Sequence, residues 1–424
     1  MPASTQAQIE ELTFPIRDVR SAFPSLARSA PFIFFDNAAG AQAPQVVIDA
    51  VLRHLVDRNV QRGGRYRKSQ EVDAVIAQAR ASVAAFLNAR SGNEIAFGMN
   101  ATSFIRLVSL AIGQSLEPSR NEIVVTDMDH EANVATWLEL EKVGARFRWW
   151  RMRDDGTLNV EDLEPLLSRQ TRLVACTVTS NALGTIVDVA AVAKRAHQFG
   201  AEVFLDCVHY APHGPIDVQG WDCDYLVCSG YKIFAPHMGF LWGREEALQR
   251  LRTFREDFLP DKPPEKIEAG TFIYENVAGM DAAISYLESL AGFLPPNGPA
   301  HSRHEKISAI MEAIASYERS LSEQLLTTLV DRGAIVYGVC DMDELKRRVP
   351  TVLFNLPGMT PEAVVEGLAQ QGIGARDGHM YAPRLMRRLG LATEHGAVRI
   401  SLAHYNSKEE IQVLNEALGT LQRS

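Results

Sequence analysis

The stretch DCDYLVCSGYKIFAPHMGFLWG, residues 222–243, places a single lysine between two short apolar runs. Both runs have the length of buried strands and are bounded by small or turn-forming residues. We therefore expect Lys232 to lie in a turn between strands. Most lysines near strand ends extend to water, and a buried ammonium costs several kcal/mol unless it is paired, neutralised or covalently used. A Schiff base with an aldehyde cofactor would account for a lysine at this place.

Strand and helix patterns alternate along the chain before this stretch. Apolar runs typical of strands lie at 123–126, 146–151, 173–178 and 203–205. Segments with helical spacing separate them at 131–143, 160–167 and 189–198. This alternation predicts a mostly parallel sheet covered on both faces, with its site at the carboxyl ends of the strands. The polar residues that follow those ends are His130, Asn181, Asp206, His209, Tyr231 and Lys232.

A strand, a small-residue turn and an apolar helix follow one another at residues 94–112, and the turn reads GMNAT at 98–102. Such an arrangement aims free backbone N–H groups at a phosphate. Neither a Walker lysine nor a GxGxxG motif is present, so the pattern does not specify a nucleotide.

The character of the chain changes after residue 257, where DFLPDKPPEKIEAGT (257–271) predicts a connecting loop. Long helices at 279–290 and 305–328 follow, and strands are predicted at 334–337, 352–356 and 398–402. This pattern indicates a smaller α+β domain. We expect a large cofactor-binding domain over residues 30–265 and a small domain formed by residues 1–29 and 266–424.

The bulk composition disfavours several classes of protein. A net charge of −9 argues against a nucleic-acid partner, and no apolar run approaches the length of a membrane span. The first twenty residues lack the apolar core of a secretory signal. The five cysteines form no CxxC pair and no metal-ligand spacing, so we expect no metal and a reducing, cytoplasmic location.

Six segments carry a resemblance to a known family. They are 129–133 (DHEAN), 180–185 (SNALGT), 205–206 (LD), 229–232 (SGYK), 268–271 (EAGT) and 399–406 (RISLAHYN). In this order and spacing, the chain from about residue 32 onward resembles class V aminotransferases of the pyridoxal-phosphate-dependent fold type I, within their cysteine desulfurase-like branch. The resemblance implies an α/β large domain with a mostly parallel sheet of the seven-stranded type, a smaller α+β domain, and pyridoxal 5'-phosphate as the cofactor.

The resemblance also implies roles for individual residues. Lys232 corresponds to the Schiff-base lysine, Asp206 to the carboxylate under the pyridine nitrogen and His130 to the residue stacked on the ring. A carboxylate at that place keeps the ring nitrogen protonated and makes the ring an electron sink. Further cofactor contacts are implied for Asn100, Ala101, Thr102, Asn181, His209, Ser229 and Tyr231.

Substrate and partner contacts follow from the same comparison. Arg399 corresponds to the arginine that grips the substrate α-carboxylate through a bidentate fork, and Asn181 and Arg376 are expected to assist it. Thr271 resembles a threonine that relatives lend across a dimer interface. The resemblance therefore implies a small amino-acid substrate and a homodimer.

One departure from the family bears on the reaction. In desulfurases a loop after an Arg-x-Gly-His segment delivers a nucleophilic cysteine, whereas here the loop reads RDGHMYAP (376–383) and Tyr381 stands in that place. A phenol of pKa about 10 cannot take up sulfur as a thiolate does. We therefore expect a lyase that eliminates a sulfur-type leaving group without forming a persulfide, with Tyr381 as an acid or as a pocket wall. An aminotransferase, an epimerase and a non-catalytic binding protein with this fold remain alternatives.

Overall fold

A computed structural model describes residues 14–28, 32–268, 270–294 and 302–423. Its strands are β1 Ile33–Phe34, β2 Ile95–Gly98, β3 Glu122–Thr126, β4 Arg146–Trp150, β5 Thr171–Thr177, β6 Glu202–Asp206, β7 Tyr225–Ser229, β8 Gly239–Gly243, β9 Ile335–Tyr337, β10 Thr351–Asn355, β11 Ile373–Gly374, β12 Arg376–Gly378 and β13 Ala397–Ser401. Its α-helices are α1 Ile16–Ser21, α2 Pro24–Arg28, α3 Gln45–Asp57, α4 Arg67–Leu87, α5 Ala101–Gly113, α6 Ala132–Leu138, α7 Val160–Leu163, α8 Val189–Gln198, α9 Val218–Trp221, α10 Glu245–Arg250, α11 Tyr274–Leu290, α12 Arg303–Asp331, α13 Pro361–Gln370, α14 Pro383–Arg388 and α15 Lys408–Leu421.

The large sheet has seven strands in the order β2-β8-β7-β6-β5-β3-β4. The five strands from β7 to β4 run parallel, and β8 is antiparallel to both of its neighbours. Strands β3, β5, β6, β7 and β8 are almost fully buried, as their continuous apolar runs predict. The predicted sheet is confirmed.

Helices cover both faces of this sheet. Alternate residues of one strand enter different cores: Ile123 and Val125 pack in the cluster that contains Trp137 of α6, whereas Val124 packs in the cluster that contains Val192 of α8. Successive side chains of a strand point to opposite faces, so two separate cores enclose the sheet. Its carboxyl edge is left for polar residues.

The C-terminal part contains a four-stranded antiparallel sheet in the order β12-β13-β10-β9. Helices α12, α13 and α15 bury one core with it. Strand β1 pairs in parallel with β11, so the N-terminal segment joins the C-terminal part. Helix α11, which the predicted division assigns to the small domain, packs mainly on α3 and α4. The domain boundaries themselves stay a prediction.

Several elements differ from the predicted ones. The single helix predicted over 131–143 is α6 followed by a 3-10 turn at Glu139–Val143, which ends where Gly144 adopts a φ of +96°. Strands β11 and β12 and helices α9, α10 and α14 were not predicted, because two to six residues are too few to display periodicity. The predicted N-terminal part of the small domain, residues 1–29, lies partly outside the described residues, and α1 and α2 belong to its described portion. None of the described helices combines the length and the apolar character that crossing a membrane requires.

Candidate active site

The predicted site residues converge at the carboxyl edge of the large sheet. Parallel strands end at one edge, so residues that follow β3, β5, β6 and β7 meet there although they lie far apart in sequence. The predicted residues that line one shared cavity are Ala101, Thr102, His130, Asn181, Asp206, His209, Ser229, Tyr231 and Lys232. The cavity is also lined by Thr177, Thr179 and Val208, which the sequence reading did not single out.

Lys232 is buried, with 6% of its surface exposed, in the 3-10 turn Gly230–Lys232 that follows β7. Gly230 makes this turn possible, because a Cβ there would lie 2.7 Å from the Pro236 carbonyl oxygen. Among the described residues the ammonium donates no hydrogen bond. Burial and the nearby Arg399 guanidinium lower the pKa of Lys232 to about 8, against the opposing effect of Asp206. The amine can therefore lose its proton near neutral pH and act as a nucleophile or a base.

Asp206 is the last residue of β6 and is buried beside Lys232. Its Oδ1 accepts a hydrogen bond from the Val208 N–H at 3.0 Å. Burial raises the pKa of Asp206, while that hydrogen bond and the charge of Lys232 act in the opposite direction. A buried carboxylate that lines the cavity is suited to a cationic ring nitrogen.

His130 lies in the turn between β3 and α6. The Ala132 N–H donates to its Nδ1 at 3.1 Å, so the neutral ring carries its proton on Nε2. Burial and the charges of Lys232 and Arg399 lower the pKa of His130 to about 4, so the imidazole is neutral. Below it, Asp129 fixes the turn, because Thr126 Oγ1 donates to its Oδ2 and Asn133 Nδ2 donates to its Oδ1.

The amino end of α5 faces the same cavity. Asn100 caps the helix, because its Oδ1 accepts from the Ser103 N–H at 2.9 Å while the Ser103 side chain returns a hydrogen bond. The Ala101 N–H donates to Ser229 Oγ at 3.1 Å. Asn100 therefore holds the turn and is not among the cavity-lining residues, whereas Thr102 and Ser229 line the cavity with hydroxyl donors for an anion.

Several buried polar atoms at the cavity lack a partner. Asn181 Oδ1, His209 Nδ1 and Thr179 Oγ1 make no hydrogen bond within the described part of the chain. Their other atoms are engaged: Asn181 Nδ2 donates to the Met380 carbonyl at 2.7 Å, and His209 Nε2 lies 3.0 Å from Thr351 Oγ1. An unsatisfied buried polar atom costs about 1–3 kcal/mol, so these atoms indicate a polar ligand.

Two arginines converge on one carboxylate beside this cavity. Arg399 is 1% exposed; its Nη1 donates to the Asn181 carbonyl and its Nη2 to Asp36 Oδ1, both at 2.9 Å. Arg376 Nε donates to the other oxygen of Asp36 at 2.8 Å. No role for Asp36 was predicted, because the two arginines that it meets lie 340 and 363 residues away in sequence.

Tyr381 stands at the mouth of the cavity with 55% of its surface exposed, and its ring centroid is 5.7 Å from that of His130. Met380 and Tyr381 both adopt left-handed backbone, with φ of +52° and +56°. The Met380 and Tyr381 carbonyls accept hydrogen bonds from Asn181 Nδ2 and the Glu131 N–H at 2.7 and 2.8 Å. These bonds offset a conformational cost of roughly 1–2 kcal/mol per residue and fix the tyrosine in place.

Thr271 is the predicted residue that the fold keeps away from this cavity. It lies at the surface, where its Oγ1 accepts from Gln61 Nε2 at 2.7 Å. Gln61 Oε1 in turn accepts from the Tyr274 hydroxyl at 2.7 Å. Within one chain Thr271 therefore takes no part in the site.

The model of the family Aminotransferase class-V matches residues 33–294 and 304–414, which is most of the chain. The chain belongs to the class V aminotransferase family. It is 35% identical to the aminotransferase-like protein FGM3 of Gibberella zeae over 96% of this chain and 98% of that protein. It is 34% identical to a cysteine desulfurase of Synechococcus elongatus over 96% of this chain, and it spans 64% of that protein.

Among solved structures, the apo cysteine desulfurase of Thermococcus onnurineus NA1 superposes with a TM-score of 0.84 at 28% identity, covering 97% of this chain and 98% of that one. The predictions of a class V aminotransferase, of fold type I and of a pyridoxal-phosphate-dependent enzyme are thereby confirmed. The residues at the cavity fit pyridoxal 5'-phosphate, the cofactor of this family. They provide a buried amine of lowered pKa, a buried carboxylate, a helix amino end and unsatisfied polar atoms.

Proposed function

We propose that this class V aminotransferase is a lyase that removes a sulfur-type substituent from the β-carbon of an amino acid and forms no protein-bound persulfide. The observation that carries the proposal is Tyr381 at the mouth of the cavity beside His130, where a desulfurase would need a thiol. The resemblance to cysteine desulfurases supports the amino-acid substrate.

The thiols of this chain are unsuited to sulfur transfer. Cys176, Cys207, Cys223 and Cys228 are buried, and burial raises the pKa of each thiol. Cys340 is half-buried, and its Sγ lies 3.1 Å from the Gly338 carbonyl oxygen. Since the thiolate is the attacking species, a buried thiol of raised pKa is unreactive.

The remaining residues can perform the elimination. When bound, the cofactor supplies a sink for the electron pair left at the α-carbon. Lys232, with a pKa of about 8, is the base that removes the α-proton and then the acid that delivers a proton to the departing sulfur. Asp206 would stabilise a positive charge on the bound cofactor, and the neutral His130 lines the same cavity with its proton on Nε2.

Arg399 is the group that we assign to the substrate α-carboxylate. Its guanidinium is buried and held by Asp36 and the Asn181 carbonyl, and its Nε has no partner among the described residues. A planar guanidinium with fixed orientation binds a carboxylate with defined geometry. The α-carbon is thereby oriented toward Lys232.

The first test is an anaerobic incubation of the holoenzyme with cysteine sulfinate, cystine and common amino acids. We expect cystine to give pyruvate, ammonia and the persulfide of free cysteine in equal amounts, and cysteine sulfinate to give sulfite and alanine in equal amounts. Keto acids with a matching loss of cofactor absorbance would indicate an aminotransferase, and α-proton exchange without release would indicate an epimerase. No change with any amino acid would indicate a binding protein. A persulfide on the protein after incubation with cysteine would refute the proposal.

A matched pair of variants tests the role of Tyr381. We expect Tyr381→Cys to acquire a cysteine-dependent persulfide, because the loop already holds residue 381 at the cavity mouth. Tyr381→Ser removes the phenol without adding a thiol and serves as the control. Alkylation and mass spectrometry measure the modification. A persulfide at equal level in both variants would show that sulfur is carried elsewhere.

We also propose that the chain forms a homodimer. Phe254 and Phe258 are 90% and 81% exposed, and they lie in the same segment as Thr271. Exposed aromatic side chains next to a residue that relatives lend to a partner are consistent with coverage by a second copy. Light scattering on the holoenzyme gives the molecular mass, and a monomer at micromolar concentration would contradict the proposal.

A further inference from the structure

A second cavity, with a volume of about 470 Å³, lies beside the carboxyl ends of β3 and β4. The residues that line it are one tryptophan, one aspartate and four arginines: Trp149, Asp127, Arg151, Arg384, Arg387 and Arg388. The chain as a whole carries a net charge of −9, so a cavity lined by four guanidinium groups and one carboxylate is opposite in sign to the rest of the molecule. No role was predicted for any of these residues.

The four arginines come from two separate parts of the chain. Arg151 follows β4, and the other three belong to α14 of the C-terminal part. The guanidinium carbons of Arg151 and Arg384 each lie 5.1 Å from the Trp149 ring centroid, so one indole ring contacts cations from both parts. Like charges that converge in this way repel one another, and a bound anion would relieve the repulsion.

Carboxylates neutralise this cluster only in part. Arg151 Nη1 lies 3.3 Å from Oδ2 of the buried Asp127. Arg388 Nη2 lies 2.8 Å from Asp154 Oδ1, but the Asp154 side chain is 94% exposed, and an ion pair so open to solvent contributes little. Arg388 can therefore exchange this partner for a ligand at small cost.

Arg387 is the arginine of the cavity that has no carboxylate. It is exposed, and its guanidinium forms no hydrogen bond or ion pair with any residue that the structure describes. A guanidinium presents five N–H donors in a planar fork that fits a phosphate or a carboxylate. The cavity consequently offers more donors and more positive charge than its own acceptors satisfy.

The cationic cavity is separate from the one that contains Lys232, and none of the described residues lines both. Arg384 connects the two regions, because its Nε lies 3.3 Å from Glu131 Oε2 and the Glu131 N–H donates to the Tyr381 carbonyl at 2.8 Å. An anion in the cationic cavity therefore occupies a site of its own, next to the loop that carries Tyr381.

We propose that the cationic cavity binds a small oxyanion with two or more negative charges, a polyphosphate or a polycarboxylate. The ligand accepts hydrogen bonds from Arg387 and from the N–H groups of Arg151 and Arg388 that their carboxylates leave unused. The concave lining favours a small ligand over the surface of an acidic protein. The site does not depend on the lyase reaction, because the ligand is bound and no bond in it is made or broken.

Isothermal titration calorimetry of the holoenzyme with pyrophosphate and with citrate at low salt tests the proposal. The holoenzyme is used because its cofactor occupies the Lys232 cavity, whose donors would otherwise bind the probe. We expect at least one probe to bind, and Arg387→Ala to weaken its binding at least about tenfold, because the variant removes a charge-assisted donor. The probe that binds more tightly distinguishes phosphate from carboxylate chemistry.

Arg169→Ala is the matched control. Arg169 is also exposed, its guanidinium has no partner within the described ranges, and it lies outside the cavity. The control variant should bind the probe as the unaltered protein does, and an equal loss in both variants would show a mere effect of net charge and overturn the proposal. Circular dichroism should give the same spectrum for both variants, since neither side chain makes a contact that folding requires.

The remaining outcomes also decide the matter. If neither probe binds, or if Arg387→Ala leaves the affinity unchanged, the cavity is not an anion site. Binding of poly-glutamate with no binding of either small anion would likewise overturn the proposal and indicate an acidic protein partner. Turnover of amino acids is measured separately, so a failure of the lyase proposal leaves the outcome of these titrations unaffected.

Discussion

The burial of Lys232 makes a quantitative prediction about the cofactor-free protein. The change from the usual pKa of 10.5 to about 8 corresponds to roughly 3 kcal/mol, at about 1.36 kcal/mol for each pKa unit. Because the folded protein disfavours the ammonium, this penalty is fully present below pH 8. It declines as the pH rises toward 10.5, where the unfolded chain also loses the proton. The lysine is therefore kept at the expense of stability.

We expect Lys232→Met to raise the free energy of unfolding of the cofactor-free protein by about 3 kcal/mol at pH 7. The gain should shrink to less than about 1 kcal/mol at pH 10, because the wild-type lysine is then mostly neutral in the folded state. Urea denaturation followed by circular dichroism at both pH values measures the difference. The variant should also lack the yellow absorbance of the covalently bound cofactor.

Lys266 supplies the matched control. Its side chain is 5% exposed, similar to that of Lys232, but its Nζ donates to the Gln249 carbonyl at 3.1 Å and pairs with Asp261 at 2.7 Å. Lys266→Met should therefore lower stability, since it removes satisfied contacts and leaves their acceptors unpaired. The reasoning fails if Lys232→Met does not stabilise the protein at pH 7, or if its gain is the same at pH 10.

Three further predictions concern other charged side chains. Asp206→Asn should lower kcat at least about a hundredfold while the cofactor still binds, because a neutral amide cannot hold the ring nitrogen protonated. Pyruvate release measures kcat and the cofactor absorbance measures binding; an unchanged kcat would contradict the role of Asp206. Glu318→Ala should lower the free energy of unfolding by about 3 kcal/mol, because the Glu318 carboxylate lies 2.8 Å from the buried His213 Nδ1. The isosteric Glu318→Gln should lower it less, and equal losses of stability in denaturant titrations would contradict a stabilising Glu318–His213 contact. Asp36→Asn should raise KM at least about tenfold with a smaller effect on kcat, because it weakens the contact that holds Arg399 in place. An unaltered KM in steady-state kinetics would show that Asp36 does not position Arg399.

The sequence was informative wherever a local pattern carries the signal. The apolar runs that become β3, β5, β6, β7 and β8 predicted a buried parallel sheet, because a strand covered on both faces must be apolar throughout. The six ordered motifs indicated the family, and the strand ends located Lys232 and Asp206. These inferences need only neighbours in the chain and the rule that parallel strands end at one edge.

Contacts between residues far apart in the sequence could not be predicted from local patterns. Asp36 meets Arg399 and Arg376, His209 meets Thr351, and His213 meets Glu318, across separations of more than one hundred residues. No local propensity encodes which carboxylate neutralises which guanidinium, since that depends on how the two sheets and α12 pack. The same holds for the pKa of Lys232, which is set by burial and by charges from other strands.

By itself the sequence determined the sheet, the family and the lysine, because hydrophobic periodicity and motif order are properties of adjacent residues. Only the tertiary structure decided that the Tyr381 ring lies beside that of His130, that Thr271 lies outside the cavity of its own chain, and that Asp36 after β1 meets Arg399 and Arg376. These facts depend on the docking of β1 against β11 and on the loop after β12. Docking is governed by complementary surfaces formed from separate segments, and such surfaces exist only after the chain has folded.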